Sequence, residues 1–224
     1  MLSGLGLTIR HALRAAYLVG RRSASAALID RPLGIETSRE ADLGAFDLEH
    51  VHRVRYEPSS WWDLRRALSR RDIFDQDVFI DLGSGKGRVV LAAARYPFKR
   101  VIGVEISPQL TAIARRNLAR RQSKVRAGHV ELITADVVDY TIPDDVTVVY
   151  IYNPFRGPVF DAAIAQIVAS LDRAPRPLRL IYRTALEHDR LVATRRFRLS
   201  RSVRGLRPGR AWSQKMAIRV YEAI

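Results

Sequence analysis

Residues 81–88 read Asp-Leu-Gly-Ser-Gly-Lys-Gly-Arg, directly behind the apolar run Val78-Phe79-Ile80. Three glycines at every second position, with an acid before and a base after, have the composition of a ligand cradle. Glycine lets the backbone approach a bound molecule closely and aim its amides at it. Two phosphate-binding patterns fail on spacing. A P-loop needs GxxxxGK and then Ser or Thr, which this stretch lacks. A dinucleotide fingerprint needs GxGxxG, but Gly87 comes one residue early and Arg88 stands where the third glycine belongs.

Two more acids close later apolar runs. Glu105 ends Arg-Val-Ile-Gly-Val-Glu, 20 residues beyond Gly85, where a carboxylate can accept both hydroxyls of a ribose. Asp136 ends Glu-Leu-Ile-Thr-Ala-Asp, and a fourth run ends in Tyr152-Asn153-Pro154-Phe155. Each also has a plain structural reading: Asp81, Asp136 and Asn153 as caps of the next segment, Glu105 as a surface acid at a strand end.

The elements that must position these residues are set by periodicity. Near-continuous Val and Ile runs, such as VFIDL, RVIGVEI, VELITAD and VTVVYIYN, alternate with helical stretches such as PQLTAIARRNLARR and GPVFDAAIAQIVASL. Strands buried on both faces of a parallel sheet look like this, with helices as crossovers. Ser107-Pro108 supplies an N-cap and a proline in the first turn of its helix. After the strand LRLIYRT and the helix ALEHDRLVATR, the segments FRLSRSVR, GLRPGR and AWSQKMAIRVYEAI read as strand, turn and strand. The fold expected is α/β: a doubly wound, mainly parallel sheet with helices on both faces, a closing antiparallel hairpin and an N-terminal helical extension. The division expected is residues 1–70 as extension or cap and 71–224 as the main domain.

Composition narrows the chemistry. The 224 residues include no cysteine, which removes disulfides, thiolate nucleophiles and Cys-held metals. Five histidines form no HExxH or similar ligand pair, so no metal site is expected. The formal charge is +15, from 38 Lys and Arg against 23 Asp and Glu. An anionic partner such as nucleic acid would suit it, yet only Lys86, Lys99, Lys124 and Lys215 are lysine, and the arginines are scattered, as composition bias alone would leave them.

Residues 1–29 contain no acid but carry Arg10, Arg14, Arg21 and Arg22. Ile9, Leu13, Ala16 and Tyr17 share one helical stripe, so an amphipathic helix is expected. It is read first as packed on the main domain, with peripheral membrane contact or a cleaved targeting segment as alternatives. Cytoplasmic location is the default expectation.

Acid-GxGxG followed by acids at two later strand ends resembles the class I S-adenosylmethionine-dependent methyltransferases, from about Val78 to the C-terminus. The resemblance implies that Asp81, Gly83, Ser84 and Gly85 hold the methionyl end of S-adenosylmethionine, Glu105 the ribose and Asp136 the adenine amino group, with Ile106 and Val137 against the ring faces. Lys86 departs from the family pattern and is expected to turn toward the cofactor carboxylate. Asn153-Pro154-Phe155 resembles the (Asp/Asn)-Pro-Pro-(Tyr/Phe) motif of amino methyltransferases, without its second proline. That implies Asn153 oxygens holding a target nitrogen beside the cofactor, with Tyr152, Tyr56 or Glu57 as candidates to take its proton. In such enzymes the segment before the glycine strand often covers the cofactor, and Arg-Tyr-Glu-Pro-Ser-Ser-Trp-Trp is placed to do so; the alternative is a helix lead-in with core tryptophans. The cofactor half is also similar to non-SET protein lysine methyltransferases. The activity implied is methyl transfer to nitrogen on a protein side chain or small amine. An RNA methyltransferase, a non-catalytic binding protein and a nicotinamide dehydrogenase are the rivals.

Overall fold

The computed structural model describes residues 2–39 and 57–224. Seven strands form one sheet in the order β3-β2-β1-β4-β5-β7-β6. They are β1 (Val78–Leu82), β2 (Arg100–Glu105), β3 (His129–Thr134), β4 (Val148–Ile151), β5 (Arg179–Arg183), β6 (Phe197–Val203) and β7 (Ile218–Ala223). The first five pair in parallel, and β7 lies antiparallel between β5 and β6. The strand order reverses at β1, so the crevice beyond the carboxyl ends of β1 and β4 is where such a sheet binds ligands.

Alternation along the central strands builds two cores. Val78, Ile80 and Leu82 of β1, with Val149 and Ile151 of β4, face one side. Phe79, Val148 and Tyr150 face the other. The first side is covered by Phe160, Ile164 and Ile167 of a long helix, Gly157–Arg173. The second is covered by Leu64 and Ala67 of Asp63–Ala67 and by Val89, Val90 and Ala93 of Arg88–Ala93. Residues i and i+2 share a face in a strand, which is why near-continuous apolar runs serve both cores at once. The Ser107 cap forms as its sequence implies: its hydroxyl accepts from the Leu110 amide at 3.2 Å, ahead of the helix Pro108–Arg120.

Three expectations need correction. The last strand begins only at Ile218, because Arg210–Lys215 forms a helix that brings Trp212 under the N-terminal helix. The helix expected over 185–195 is one short stretch, His188–Ala193. Of the two tryptophans ahead of β1, Trp62 is 54% exposed and Trp61 is half-buried, so the pair is not wholly core.

The N-terminal helix Leu2–Ser25 continues through one wide turn, Ala26–Asp30, and a final turn, Arg31–Leu33, to Gly34 at φ 66°. Its Tyr17 meets Trp212 edge-on, with ring centroids 5.3 Å apart. Leu13 of the predicted apolar stripe stays exposed, whereas Tyr17 is half-buried.

Candidate cofactor and acceptor site

β1 delivers Asp81 into the interior, and the chain then turns through Gly83, Gly85 and Gly87, all in the left-handed region at φ 81°, 53° and 78°. A Cβ on Gly83 would sit 2.6 Å from Cβ of Pro154, and one on Gly87 would sit 3.0 Å from Cβ of Ala114. The first glycine therefore lets the turn after β4 close onto the loop. The third lets the helix Pro108–Arg120 do the same from behind.

The loop amides are spent differently from the sequence expectation. Gly83 and Ser84 both donate to the Val104 carbonyl at 2.9 Å, Gly87 donates to the Ser84 carbonyl, and Gly85 donates to Oε2 of Glu105 at 2.7 Å. They stitch the loop to β2 and to itself, leaving side chains and cleft walls to make the site. Oε1 of Glu105 accepts from the Ser107 amide at 3.0 Å. Burial pushes the Glu105 carboxyl up, and these backbone donors pull it back. Each oxygen keeps a further lone pair for a ligand hydroxyl.

Asp81 is 3% exposed. Burial, and then the Glu105 charge, push its carboxyl well above the usual range. A buried carboxylate in this state lacks a cation. Beside it, Oγ of Ser84 is buried with no partner among the described residues. Both face a cleft of about 810 Å³, mouth included, whose wall also holds Gly83, Glu105, Ile106, Asp136 and Val137. An acid for an ammonium, an acid for a diol, and an acid with two apolar side chains for a purine form a donor set that S-adenosylmethionine fits. Gly85 lies behind this wall and acts through Glu105.

Lys86 needs correction. Its ammonium lies 2.7 Å from Oε1 of Glu36, away from the cleft, on the segment just after the N-terminal helix. Asn117 fastens the same place, donating to the carbonyls of Glu36 and Lys86 and accepting from the Glu36 amide. Arg88, one residue past the glycines, extends the latch. It is 4% exposed and donates to Oγ1 of Thr37 at 2.8 Å, Oγ of Ser38 at 2.7 Å and the Ser59 carbonyl at 2.8 Å. Asp30 lies 3.6 Å from it and accepts from the Thr37 amide and hydroxyl. Sequence reasoning missed Arg88 as a site residue although it lines the cleft. The signal was present: a base displacing the expected glycine at the start of a helix.

On the acceptor side, Asn153 adopts φ 46°, and its Oδ1 accepts from the Tyr182 hydroxyl at 3.3 Å. Its neighbours Pro154 and Phe155 line the cleft, and Asn153 itself stands behind them. Tyr152 lines the cleft with its ring 3.9 Å below the Arg183 guanidinium. The Arg183 guanidinium and the Glu57 carboxylate lie by its hydroxyl. Burial pushes its pKa up to about 12, which corrects its candidacy as a proton acceptor, because it stays a neutral phenol near pH 7. Glu57 shares this wall, and Tyr56 lies outside the described residues. Ser59 and Tyr150, also in the wall, hold each other at 3.2 Å. No group of three or more His, Asp or Glu side chains able to hold a metal occurs among the described residues.

Residues 79–177 match a family described as a methyltransferase domain. Over 98 residues the chain is 29% identical to a protein-lysine N-methyltransferase of Saccharolobus islandicus (strain REY15A), a match covering 42% of this chain and 61% of that relative. The chain thus spans about three fifths of the length of that curated protein. Among solved structures, an RNA methyltransferase from Salinibacter ruber in complex with S-adenosyl-L-homocysteine superposes with TM-score 0.50 at 24% identity, covering 75% of this chain and 93% of the other. A magnesium protoporphyrin IX methyltransferase from Synechocystis PCC 6803 with bound cofactor gives TM-score 0.46 at 15% identity, over 65% and 68% of the two chains. Three strand-end acids around one cleft, a glycine loop and this strand order are what a class I S-adenosylmethionine-dependent methyltransferase domain uses, in line with the methyltransferase-domain match over residues 79–177.

Proposed function

We propose that the protein transfers a methyl group from S-adenosylmethionine to a nitrogen of a protein side chain or small amine. One observation carries the reading. The Asn153-Pro154-Phe155 turn closes over Gly83, so Pro154 and Phe155 share a wall with Asp81 and Glu105. An acceptor held at that turn stands beside a cofactor held by those acids. The similarity to a protein-lysine N-methyltransferase supports nitrogen on a protein.

The bound cofactor supplies an electrophilic methyl on sulfonium, which a lone pair can displace in line. Residues of this chain then mostly align and desolvate the acceptor. Phe155 and Tyr152 offer aromatic faces to an amine. Glu57 is the acid in the wall suited to take the amine proton, directly or through water. Residues 1–70 act as a cap, fastened to the glycine loop by the Lys86 and Arg88 contacts. Contact of residues 1–29 with an anionic membrane is part of this proposal, supported by exposed Leu13, Val19 and Leu28 on a segment without acids before Asp30.

The test is transfer of labelled methyl into a host lysate separated into protein, RNA and small-molecule fractions, with Glu105→Ala and Asp81→Asn as blanks. The reading expects label above both blanks in the protein or small-amine fraction, stable to base as N-methyl groups are. The +15 charge favours RNA as the second reading. Label confined to nuclease-sensitive material would establish that one and sink the first.

A further inference from the structure

Arginines that lie scattered along the sequence meet in space around a groove outside the cofactor cleft. The groove holds about 1450 Å³, mouth included, between the last turns of the N-terminal helix, the helix Asp63–Ala67 with the turn after it, and the end of the helix Arg88–Ala93. Leu64, Leu68 and Tyr96 are buried in its floor. Arg65, Arg70, Arg71 and Arg95 are exposed along its rim. No acid lines it among the described residues. The chain has 23 Asp and Glu against 38 Lys and Arg, so scatter would have left acids here too. Asp63 is buried against Arg183 instead, and Asp72, beside Arg71, does not line the groove.

The four rim arginines pair with no described acid, whereas Arg173, Arg190, Arg196 and Arg198 on other surfaces each hold one. Like charges crowd here instead. The Arg70 guanidinium lies 5.9 Å from the centre of the Tyr96 ring. Burial raises the Tyr96 pKa, and the charges of Arg65, Arg70 and Arg95 all pull it back. Gathering cations in this way is unfavourable until an anionic partner arrives. Aromatic rings complete the groove: Trp62, 54% exposed, and Trp61, half-buried, both line it. The two indoles also line a second hollow that carries Arg21 and Arg22, and a third hollow continues past Arg95 to Arg121 and Lys124. The basic track therefore runs on at both ends. Residues 58–62 stand between it and the cofactor cleft, with Ser59 lining the cleft and Trp61 and Trp62 lining the groove.

A flat bilayer would meet the arginine rim but not the recessed floor. An acidic peptide would answer the charge but leave the exposed indole unused. A single nucleic-acid strand answers both, with phosphates on the guanidinium groups and a base stacked on the indole. We propose that the groove rimmed by Arg65, Arg70, Arg71 and Arg95, with Trp62 as its stacking platform, binds single-stranded nucleic acid. The inference goes beyond the acceptor reading above and does not rest on it, because the groove lies outside the cleft and can be tested without any methyl transfer.

The experiment uses the full chain saturated with S-adenosylhomocysteine, so that the cofactor cleft is filled. Fluorescein-labelled oligouridylate and oligothymidylate of about 12 nucleotides are titrated by fluorescence anisotropy at about 50 to 300 mM salt. The expected result is saturable binding with quenched tryptophan emission, the tighter oligonucleotide naming RNA or DNA. Log Kd should rise with log salt at a slope of about 3, as four phosphates on four arginines imply. Arg70→Gln/Arg95→Gln should weaken binding by roughly tenfold or more and lower the slope by about 1 to 2. Arg190→Gln/Arg196→Gln is the charge-matched control: its arginines pair with Asp161 and Asp172 of the helix Gly157–Arg173, on the other face of the sheet. It should change Kd by less than about threefold. Trp62→Ala should weaken binding by about fivefold or more at unchanged slope, since stacking releases no counterions. These are surface substitutions, so each variant should melt within about 2 °C of wild type. No saturable binding to either oligonucleotide, equal weakening in the two double variants, or wild-type affinity in Trp62→Ala overturns the proposal. Oligoglutamate or phosphatidylglycerol vesicles that displace the oligonucleotide at equal charge concentration would assign the face to an acidic protein or a membrane and also overturn it. Oligonucleotide binding with no methyl transfer to any lysate fraction keeps the groove and removes the acceptor reading.

Discussion

Gly83→Ala should damage stability and cofactor affinity together. At φ 81° an alanine occupies the left-handed region, which costs about 1–2 kcal/mol. The new Cβ would also fall 2.6 Å from Cβ and 2.9 Å from Cγ of Pro154, where ordinary contact begins near 3.4 Å. A proline ring cannot rotate away, so either the glycine loop or the turn after β4 must shift, and overpacking of this kind adds about 1–3 kcal/mol. The total is about 2–5 kcal/mol, or roughly 4–20 °C in Tm for a chain of this size. Both displaced pieces are cleft walls, so affinity for S-adenosylhomocysteine should fall by at least tenfold. Gly87→Ala is the control: it has the same backbone penalty at φ 78°, but its nearest contact, 3.0 Å, is Ala114 behind the loop. It should lose stability with a smaller loss of affinity. Thermal melts and calorimetric titration of both variants decide the matter. If Gly83→Ala melts within about 1 °C of wild type and binds normally, the loop and turn are not in the contact described.

Asp81→Asn should weaken S-adenosylhomocysteine binding by roughly 10–100-fold through loss of a charged hydrogen bond, yet stabilise the ligand-free protein. The sign comes from the raised carboxyl: the native state holds its proton more tightly than the unfolded chain, so this group's contribution is full below about pH 4 and is lost as pH climbs through the raised value. The Tm gain of the variant should therefore vanish near pH 4 and grow with pH, and a constant gain would refute it. Arg88→Met should speed amide exchange at Thr37, whose amide donates to Asp30, and loosen residues 57–60; unchanged exchange there would show that the latch holds nothing. Glu57→Gln should lower kcat about 100-fold or more with the acceptor found by labelling, at unchanged S-adenosylhomocysteine affinity; unchanged kcat would remove it as the proton acceptor.

The parts of this molecule legible in the sequence are those where each residue answers to one local constraint. Strands buried on both faces must be apolar throughout, so β1, β2 and β4 announce themselves, and Ser107-Pro108 marks its helix start because a cap needs only its own next turn. Cleft residues such as Asp81, Glu105 and Asp136 were legible for a related reason: strand ends of a parallel sheet converge on one crevice, so an acid at each end has one place to point. Residues serving two distant segments were not. Lys86 reads as a charge beside a cofactor until Glu36, 50 residues earlier, is seen to receive it. The amide of Gly85 reads as a ligand donor until the Glu105 side chain folds back to take it. Asn153 reads as a wall residue until its left-handed backbone turns its oxygen to Tyr182 and leaves Pro154 and Phe155 at the surface of the cleft. The late strand was misread for the opposite reason. Ala211 through Ala217 carries no pattern strong enough to refuse either helix or strand, and it is the packing of Tyr17 on Trp212 that gives a helix there something to hold. Local physics thus specifies the sheet and the crevice. What closes the crevice is set by partners far along the chain, as the Lys86 contact with Glu36 and the Arg88 contacts with Thr37, Ser38 and Ser59 show.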